Sequence, residues 1–274
     1  MSQIFFNKTL KELMHQHKTP FYCYSREAIR KTIAELKAAF PVQNFQMLFA
    51  TMANDNPEFL RIVAAADVGA CVNSIKHLNL ALDNGISPGK IQFTSTGLPA
   101  EDMIALLRSG VAVNFDSLHQ LERWFQLQQG GYAGVRINTA SLTSRVPVTD
   151  RLGIEGSQLY QALETAKRNK GTINGVHIYV GTNYRKHTEM IPALDAFFEL
   201  AATVPSLDYV NIGGGVGVDY LGEGNEFDLK EYGLYVKNQI EELRRKLKKN
   251  VRLIFEPGRR LAASSGWFIT RVTD

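Results

Sequence analysis

The sequence predicts a TIM-type (β/α)8 barrel, an α/β fold, and three observations carry that reading. Short runs rich in β-branched and aromatic residues alternate with segments of helical periodicity. Eight such runs follow one another along 274 residues, close to the ~250 residues typical of this barrel. Alternation of this kind implies a parallel sheet with helical crossovers. An open doubly wound sheet is the competing architecture. It commonly has fewer strands, and no GxGxxG fingerprint follows the first strand here.

Taken in order, the strands are expected at 47–51, 69–73, 91–95, 111–115, 133–138, 174–180, 208–213 and 251–256. Helices are expected between them at 57–66, 74–84, 99–109, 117–129, 156–170, 187–203 and 228–249. Asp55, Ser74 and Ser117 are suited to open helices, and Gly85 and Gly110 to close them. Two strand-like runs lie outside the repeat, "PFYCY" at 20–24 and "GWFITRVTD" at 266–274. Unpaired strand edges are a liability. They pair with each other, or with another chain, or the sequence is a fragment.

Composition sets the outer bounds. With 45% hydrophobic and 21% charged residues and a net charge of +4, the chain reads as an ordinary globular protein. The basic run Arg244-Arg245-Lys246-Leu247-Lys248-Lys249 closes an expected helix, where cations suit the dipole and the solvent. No aromatic–basic interleaving points to nucleic acid. Cys23 and Cys71 are far apart and form no CxxC pattern, so neither a disulfide framework nor a zinc site follows. No apolar run approaches the ~20 residues of a membrane span, and the N-terminus does not read as a signal peptide. A cytoplasmic location, without membrane or nucleic-acid partners, is the expectation.

In such barrels the chemistry sits at the C-terminal ends of the strands. The run Gly213-Gly214-Gly215 follows the seventh strand. Successive glycines expose backbone N–H groups that can hold an anion, although a tight turn alone would also explain them. Arg259, just past Glu256-Pro257-Gly258, adds a charge-assisted contact to a phosphate. Glu256 itself reads either as a rim salt bridge with Arg259 or Arg260, or as the acid facing a protonated ring nitrogen. His177 and Tyr179 are two apart on one strand and share a face. Tyr179 would lie nearer the mouth, stacked on a planar ligand or filling the core. Phosphate, ring acid and stacking aromatic together suggest pyridoxal 5'-phosphate (PLP).

At these residues the sequence resembles a family, the PLP-dependent ornithine/diaminopimelate/arginine decarboxylases. The resemblance runs from about Pro20 to the last residue, through "TPFYCY", "FATMANDNP", "NFDSLHQLER", "RIN", "DRLGI", "GVHIYVGT", "NIGGGVGVDY" and "EPGRRLAASSGWFITRV". It implies an alanine-racemase-like PLP-binding barrel. Gly213, Gly214 and Gly215 match the family's phosphate-binding glycines, and Arg259 matches the arginine of its EPGR motif. Glu256 matches the glutamate on the pyridine nitrogen, Arg136 an arginine lining the site, and Ser74 a serine near the cofactor.

The departures carry as much. The family's first strand typically ends in Tyr-Ala-Val-Lys-Ala-Asn, whose lysine forms the Schiff base. Here "FATMAN" places Met52 at that lysine. The family's aspartate on the second strand falls at Cys71, the following glutamate at His77, and the stacking histidine at Tyr179. A thioether cannot form an imine. Lys76 and Lys186 are the alternative amines near the mouth, both read as solvated helix residues. The resemblance further implies a β-rich domain after the barrel. The expected division is 1–24 as an N-terminal helix and strand, 25–260 as the barrel, and 261–274 as the start of the missing domain, which the two strand-like runs join. The expectation is the barrel of a diamino-acid decarboxylase, inactive as written, with PLP held non-covalently or lost. The alternative is a non-catalytic PLP- or phosphate-binding protein or subunit partner. An amino-acid substrate, a homodimer, or a partner chain supplying the missing domain are the implied partners.

Overall fold

The computed structural model describes residues 4–5, 8–143, 151–224 and 226–272. Asp150 of the "DRLGI" motif lies outside them. A short pairing of β1 (Ile4–Phe5) with β2 (Lys8–Thr9) precedes α1 (Leu10–Gln16), β3 (Phe21–Tyr24) and α2 (Arg26–Ala39). The barrel then runs β4 (Phe45–Ala50), α3 (Pro57–Ala65), β5 (Gly69–Val72), α4 (Ile75–Asp83), β6 (Ile91–Thr94), α5 (Ala100–Ser109), β7 (Ala112–Phe115) and α6 (Leu118–Gln128). It continues with β8 (Gly131–Ile137), α7 (Leu159–Arg168), β9 (Gly171–Ile178), α8 (Ile191–Ala201), β10 (Tyr209–Asn211), α9 (Leu229–Leu247) and β11 (Arg252–Phe255). The chain ends in α10 (Arg259–Ala262) and β12 (Gly266–Ile269).

Strands β4 to β11 pair in parallel in chain order, and β11 returns to β4 through Leu253 opposite Phe45 and Phe255 opposite Met47. The expected closed eight-stranded barrel is therefore present. Its main apolar core lies between the strands and the helices. Phe49, Leu60, Val63, Ala70 and Phe125 are fully buried in it. Each large side chain buried there contributes roughly 1.5–3 kcal/mol.

The helix starts show why the boundaries fall where they do. Ser74 and Ser117 cap α4 and α6 through their hydroxyls. For α3 the expected cap, Asp55, is displaced by Asn56, whose side chain accepts from the N–H groups of Glu58 and Phe59. Pro57 is the reason: at the first helical position its missing N–H costs nothing, and its φ is already helical. The Asp55 carboxylate is free to bind Lys76 instead, at 3.0 Å. Gly110 closes α5 in the left-handed conformation as expected.

"PFYCY" and "GWFITRV" are not left without partners. Strands β3 and β12 pair antiparallel, with Gly266 opposite Tyr24 and Ile269 opposite Phe21. They form a two-stranded ribbon beside the barrel. Helix α2, which the strand–helix pattern does not reveal, joins this ribbon to β4. No helix among the described residues is long and apolar enough to cross a membrane.

Candidate active site

The barrel interior departs from the branched aliphatic filling usual in such folds. Among the described residues its apolar cluster is small: Leu48, Cys71, Tyr209 and Ile254. The rest is a chain of buried polar side chains. The Tyr209 hydroxyl donates to Asn114 Oδ1 at 2.6 Å. Asn114 Nδ2 donates to Thr94 Oγ1 at 2.9 Å and Gln92 Oε1 at 3.3 Å. Asn211 Nδ2 donates to the same Gln92 oxygen at 2.7 Å and to Glu256 Oε1 at 2.6 Å. The chain thus climbs from the barrel floor to its C-terminal mouth. A buried network of this kind is tolerable only when its members are hydrogen-bonded.

Glu256 is its upper end. It lies just past β11, is 8% exposed, and points inward rather than along the rim. The alternative of a rim pair with Arg259 or Arg260 is therefore overturned. Its second oxygen meets His177 Nε2 at 3.2 Å, because His177 and Asn211 sit side by side on β9 and β10 beneath it. Burial raises the pKa of the Glu256 carboxyl. The charge and hydrogen bond of His177, with hydrogen bonds from Asn211 and Cys71, outweigh burial and hold the pKa below its ordinary value. The site therefore keeps a carboxylate ionised inside a barrel. Cys71, on β5, shares this environment: burial first, then Glu256, pushes its thiol well up.

The glycine run stands against Glu256. The Glu256 N–H donates to the Gly213 carbonyl at 2.8 Å. Gly213 has φ +64, and a Cβ there would collide with the Ile178 carbonyl. Close backbone packing therefore requires a glycine at this turn whatever ligand it holds. Gly214 and Gly215 are half-buried, and among the described residues their N–H groups donate to no protein acceptor. Tyr179 lies one residue beyond β9, half-buried, with its carbonyl taken by Thr139 Oγ1 at 2.7 Å.

The other sequence-named residues fall around this mouth. Met52 lies in a single 3-10 turn, Thr51–Ala53, directly after β4, and is 49% exposed. Thr51 beneath it is buried; its hydroxyl meets Cys71 O at 3.1 Å and His77 Nδ1 at 2.9 Å. Ser74 uses its hydroxyl on the His77 N–H as a helix cap. Arg136 is buried on β8, with Nη2 2.6 Å from Asp116 Oδ2 and 3.1 Å from Thr96 Oγ1. Arg259 is the outlier. It is exposed at the start of α10, and its Nη1 donates to the Tyr220 hydroxyl at 3.1 Å. It borders a cleft of about 490 Å3 between the barrel rim and the β3–β12 ribbon. Two buried polar atoms of the mouth, His177 Nδ1 and Arg136 Nε, have no partner. Sequence reasoning missed Asn211 and the Tyr209 chain. Their only signal was polar residues at inward strand positions, which needs the barrel register to be read.

Comparison with known proteins agrees with this architecture. Residues 26–263 match the model of the pyridoxal-dependent decarboxylase family, pyridoxal-binding domain. Diaminopimelate decarboxylase of Thermoplasma acidophilum is 25% identical over 97% of this chain and 67% of its own length. A probable chloroplastic diaminopimelate decarboxylase of Oryza sativa is 30% identical over 93% of this chain, which spans 54% of that relative. The crystal structure of the Helicobacter pylori diaminopimelate decarboxylase complexed with L-lysine superposes with a TM-score of 0.82 at 25% identity, over 94% of this chain and 68% of that one. The chain thus spans 54% to 68% of the length of these relatives. A closed barrel with an ionised carboxylate and a glycine turn at its mouth, and a family match over most of its length, establish that the chain belongs to the pyridoxal-dependent decarboxylase family as its pyridoxal-binding domain, with PLP as the cofactor.

Proposed function

We propose that this chain is a PLP-binding barrel of the diamino-acid decarboxylase type that is catalytically silent as written. The observation that carries the silence is Met52, which stands at the mouth after β4 where a cofactor-bonding lysine is expected. The residues present suit the cofactor. The unpartnered N–H groups of Gly214 and Gly215 suit phosphate oxygens, and Glu256 offers an ionised, buried acceptor to a protonated ring nitrogen. Tyr179 offers a half-buried ring for the cofactor's face. Arg259 would add charge to the phosphate in place of its Tyr220 contact. When bound, PLP would supply the electron-withdrawing ring that decarboxylation chemistry needs.

What the chain itself contributes is holding and orientation. Glu256 would hold a proton on the ring nitrogen, because a carboxylate this well supplied with donors stays charged. Arg136 is fixed against Asp116 and Thr96 and keeps a positive charge in the mouth. Among the described residues neither candidate amine is turned into the mouth to hold the cofactor covalently. Lys76 is engaged with Asp55 on the exposed rim, and Lys186 is exposed. The names of the relatives support a diamino acid as the substrate of an active counterpart. A homodimer, or a partner chain bearing a β-rich domain, would complete such a counterpart.

The test is direct. Titrating PLP into the purified chain is expected to give a bound aldehyde that borohydride leaves unattached to protein. Assays with diaminopimelate, lysine and ornithine are expected to release no CO2. Release of CO2, or a borohydride-fixed adduct on Lys76 or Lys186, overturns the silent reading. Absence of PLP binding overturns the cofactor role and leaves the subunit-partner reading.

A further inference from the structure

We propose that Asn211 is a positioning residue that locks the glycine turn and the Glu256 carboxylate, the two elements facing opposite ends of the cofactor, at one fixed separation. The inference rests on the PLP reading above. Asn211 is completely buried at the end of β10, and its amide is fully used. Both Nδ2 protons are committed, to Glu256 Oε1 and Gln92 Oε1. Its Oδ1 accepts the Gly213 N–H at 2.9 Å. These partners also fix the orientation of the amide, since a carboxylate oxygen needs a donor and a backbone N–H needs an acceptor.

The contacts form a closed circuit. Asn211 holds the Glu256 side chain with one arm and the Gly213 backbone with the other. The Glu256 N–H then returns to the Gly213 carbonyl. The turn therefore cannot shift relative to the carboxylate without breaking a buried hydrogen bond. Asparagine is the residue type this place needs. Aspartate keeps the acceptor for Gly213 but brings a second negative charge against Glu256. Leucine keeps the volume and strands Gly213 N–H, Glu256 Oε1 and a lone pair of Gln92. The remaining titratable groups that act on Glu256 or on its neighbour Cys71 are His177 on β9, Cys71 itself on β5, Tyr209 on β10 and, through Cys71, Arg136 on β8. Among the described residues none of these side chains is hydrogen-bonded to Gly213, so beside the direct backbone bond the side-chain link between carboxylate and turn runs through Asn211.

The experiment compares the full chain with its Asn211→Leu and Asn211→Asp variants. It measures dissociation constants for PLP and for inorganic phosphate. It also measures the infrared titration of the Glu256 carboxylate, assigned by difference against Glu256→Gln. Asn211→Leu is expected to weaken PLP and phosphate by roughly tenfold each, one lost hydrogen bond to an ordered group being worth about that factor. Asn211→Asp is expected to keep phosphate affinity within about twofold, since its acceptor is retained, while the Glu256 titration moves to higher pH. A residue that merely filled space would not split the two variants in this way. Wild-type affinities and an unmoved Glu256 titration in both variants overturn the proposal. If Asn211→Leu does not fold, Asn211→Asp alone decides, by the same titration. If the wild-type chain binds neither PLP nor phosphate, the cofactor reading falls, and the titration still shows whether Asn211 governs Glu256.

Discussion

Met52 stands with half its surface in solvent, and its sulfur lies 3.8 Å from the Thr51 hydroxyl. A side chain so placed carries little of the fold. Met52→Lys is expected to change stability by no more than about 0.5 kcal/mol, as for other surface substitutions. It should nonetheless give the mouth an amine at the end of β4. On adding PLP, the variant is expected to gain an absorbance band and a borohydride-fixed mass at position 52, read by peptide mass spectrometry. A variant that folds and binds PLP without fixing it would mean that Cys71 and Tyr179 have removed more of the site than one amine restores. Met52 is legible in the sequence because a strand end followed by Asn-Asp-Asn-Pro fixes its register. Asn211 is not. Its neighbours Gln92 and Glu256 are remote in sequence, and only closure of the barrel brings them to one side chain. Glu256 was half legible: its strand and level were readable, but its inward aim depends on His177 and Asn211 being beneath it.

Among the elements, β8, β9 and β10 show how a polar interior is accommodated. The Tyr209 ring lies across β9 and β8, over positions where a side chain would collide with it. A Cβ on Gly175 would overlap the ring, and one on Gly134 would strike its hydroxyl and Asn114. The two glycines are therefore the space into which the tyrosine fits. Gly175→Ala is expected to destabilise the chain by about 1–3 kcal/mol, the usual cost of overpacking. Tyr209→Phe is expected to cost about 1–3 kcal/mol, because it strands Asn114 Oδ1. Urea denaturation monitored by circular dichroism measures both. A neutral Gly175→Ala would mean that the ring is free to move aside. The order of strands and helices was readable because alternation and capping are local signals. The roles of Gly134 and Gly175 were not, since a glycine inside a strand announces close approach without naming what approaches. Helix α2 escaped for a different reason: it precedes the first barrel strand, outside the repeat that revealed the others.

At the scale of the molecule, the barrel and the ribbon differ in how they are held. Every barrel strand has two neighbours, closed by β11 against β4. The ribbon has only β3 and β12, and its small core of Leu13, Cys23 and Ile269 is separate from the main one. Tyr22 and Phe268 meet on its surface with ring centroids 5.0 Å apart and planes tilted by 44°, and are 69% and 57% exposed. Regions with few buried contacts open locally at lower free energy than the core. Amides of β3 and β12 are therefore expected to exchange hydrogen faster than those of β9, β10 and β11, measured by mass spectrometry on peptides. Equal protection would mean that ribbon and barrel open as one unit. The same measurement bears on the ligand. Helix α10, with Arg259 at its start, joins β11 to β12. A ligand that binds only the closed form stabilises it by RT ln(1 + [L]/Kd). If Arg259 holds the phosphate, saturating PLP should slow exchange in β12 as well as at the glycine turn. If Gly214 and Gly215 hold it alone, protection should rise at the turn while the ribbon exchanges as before.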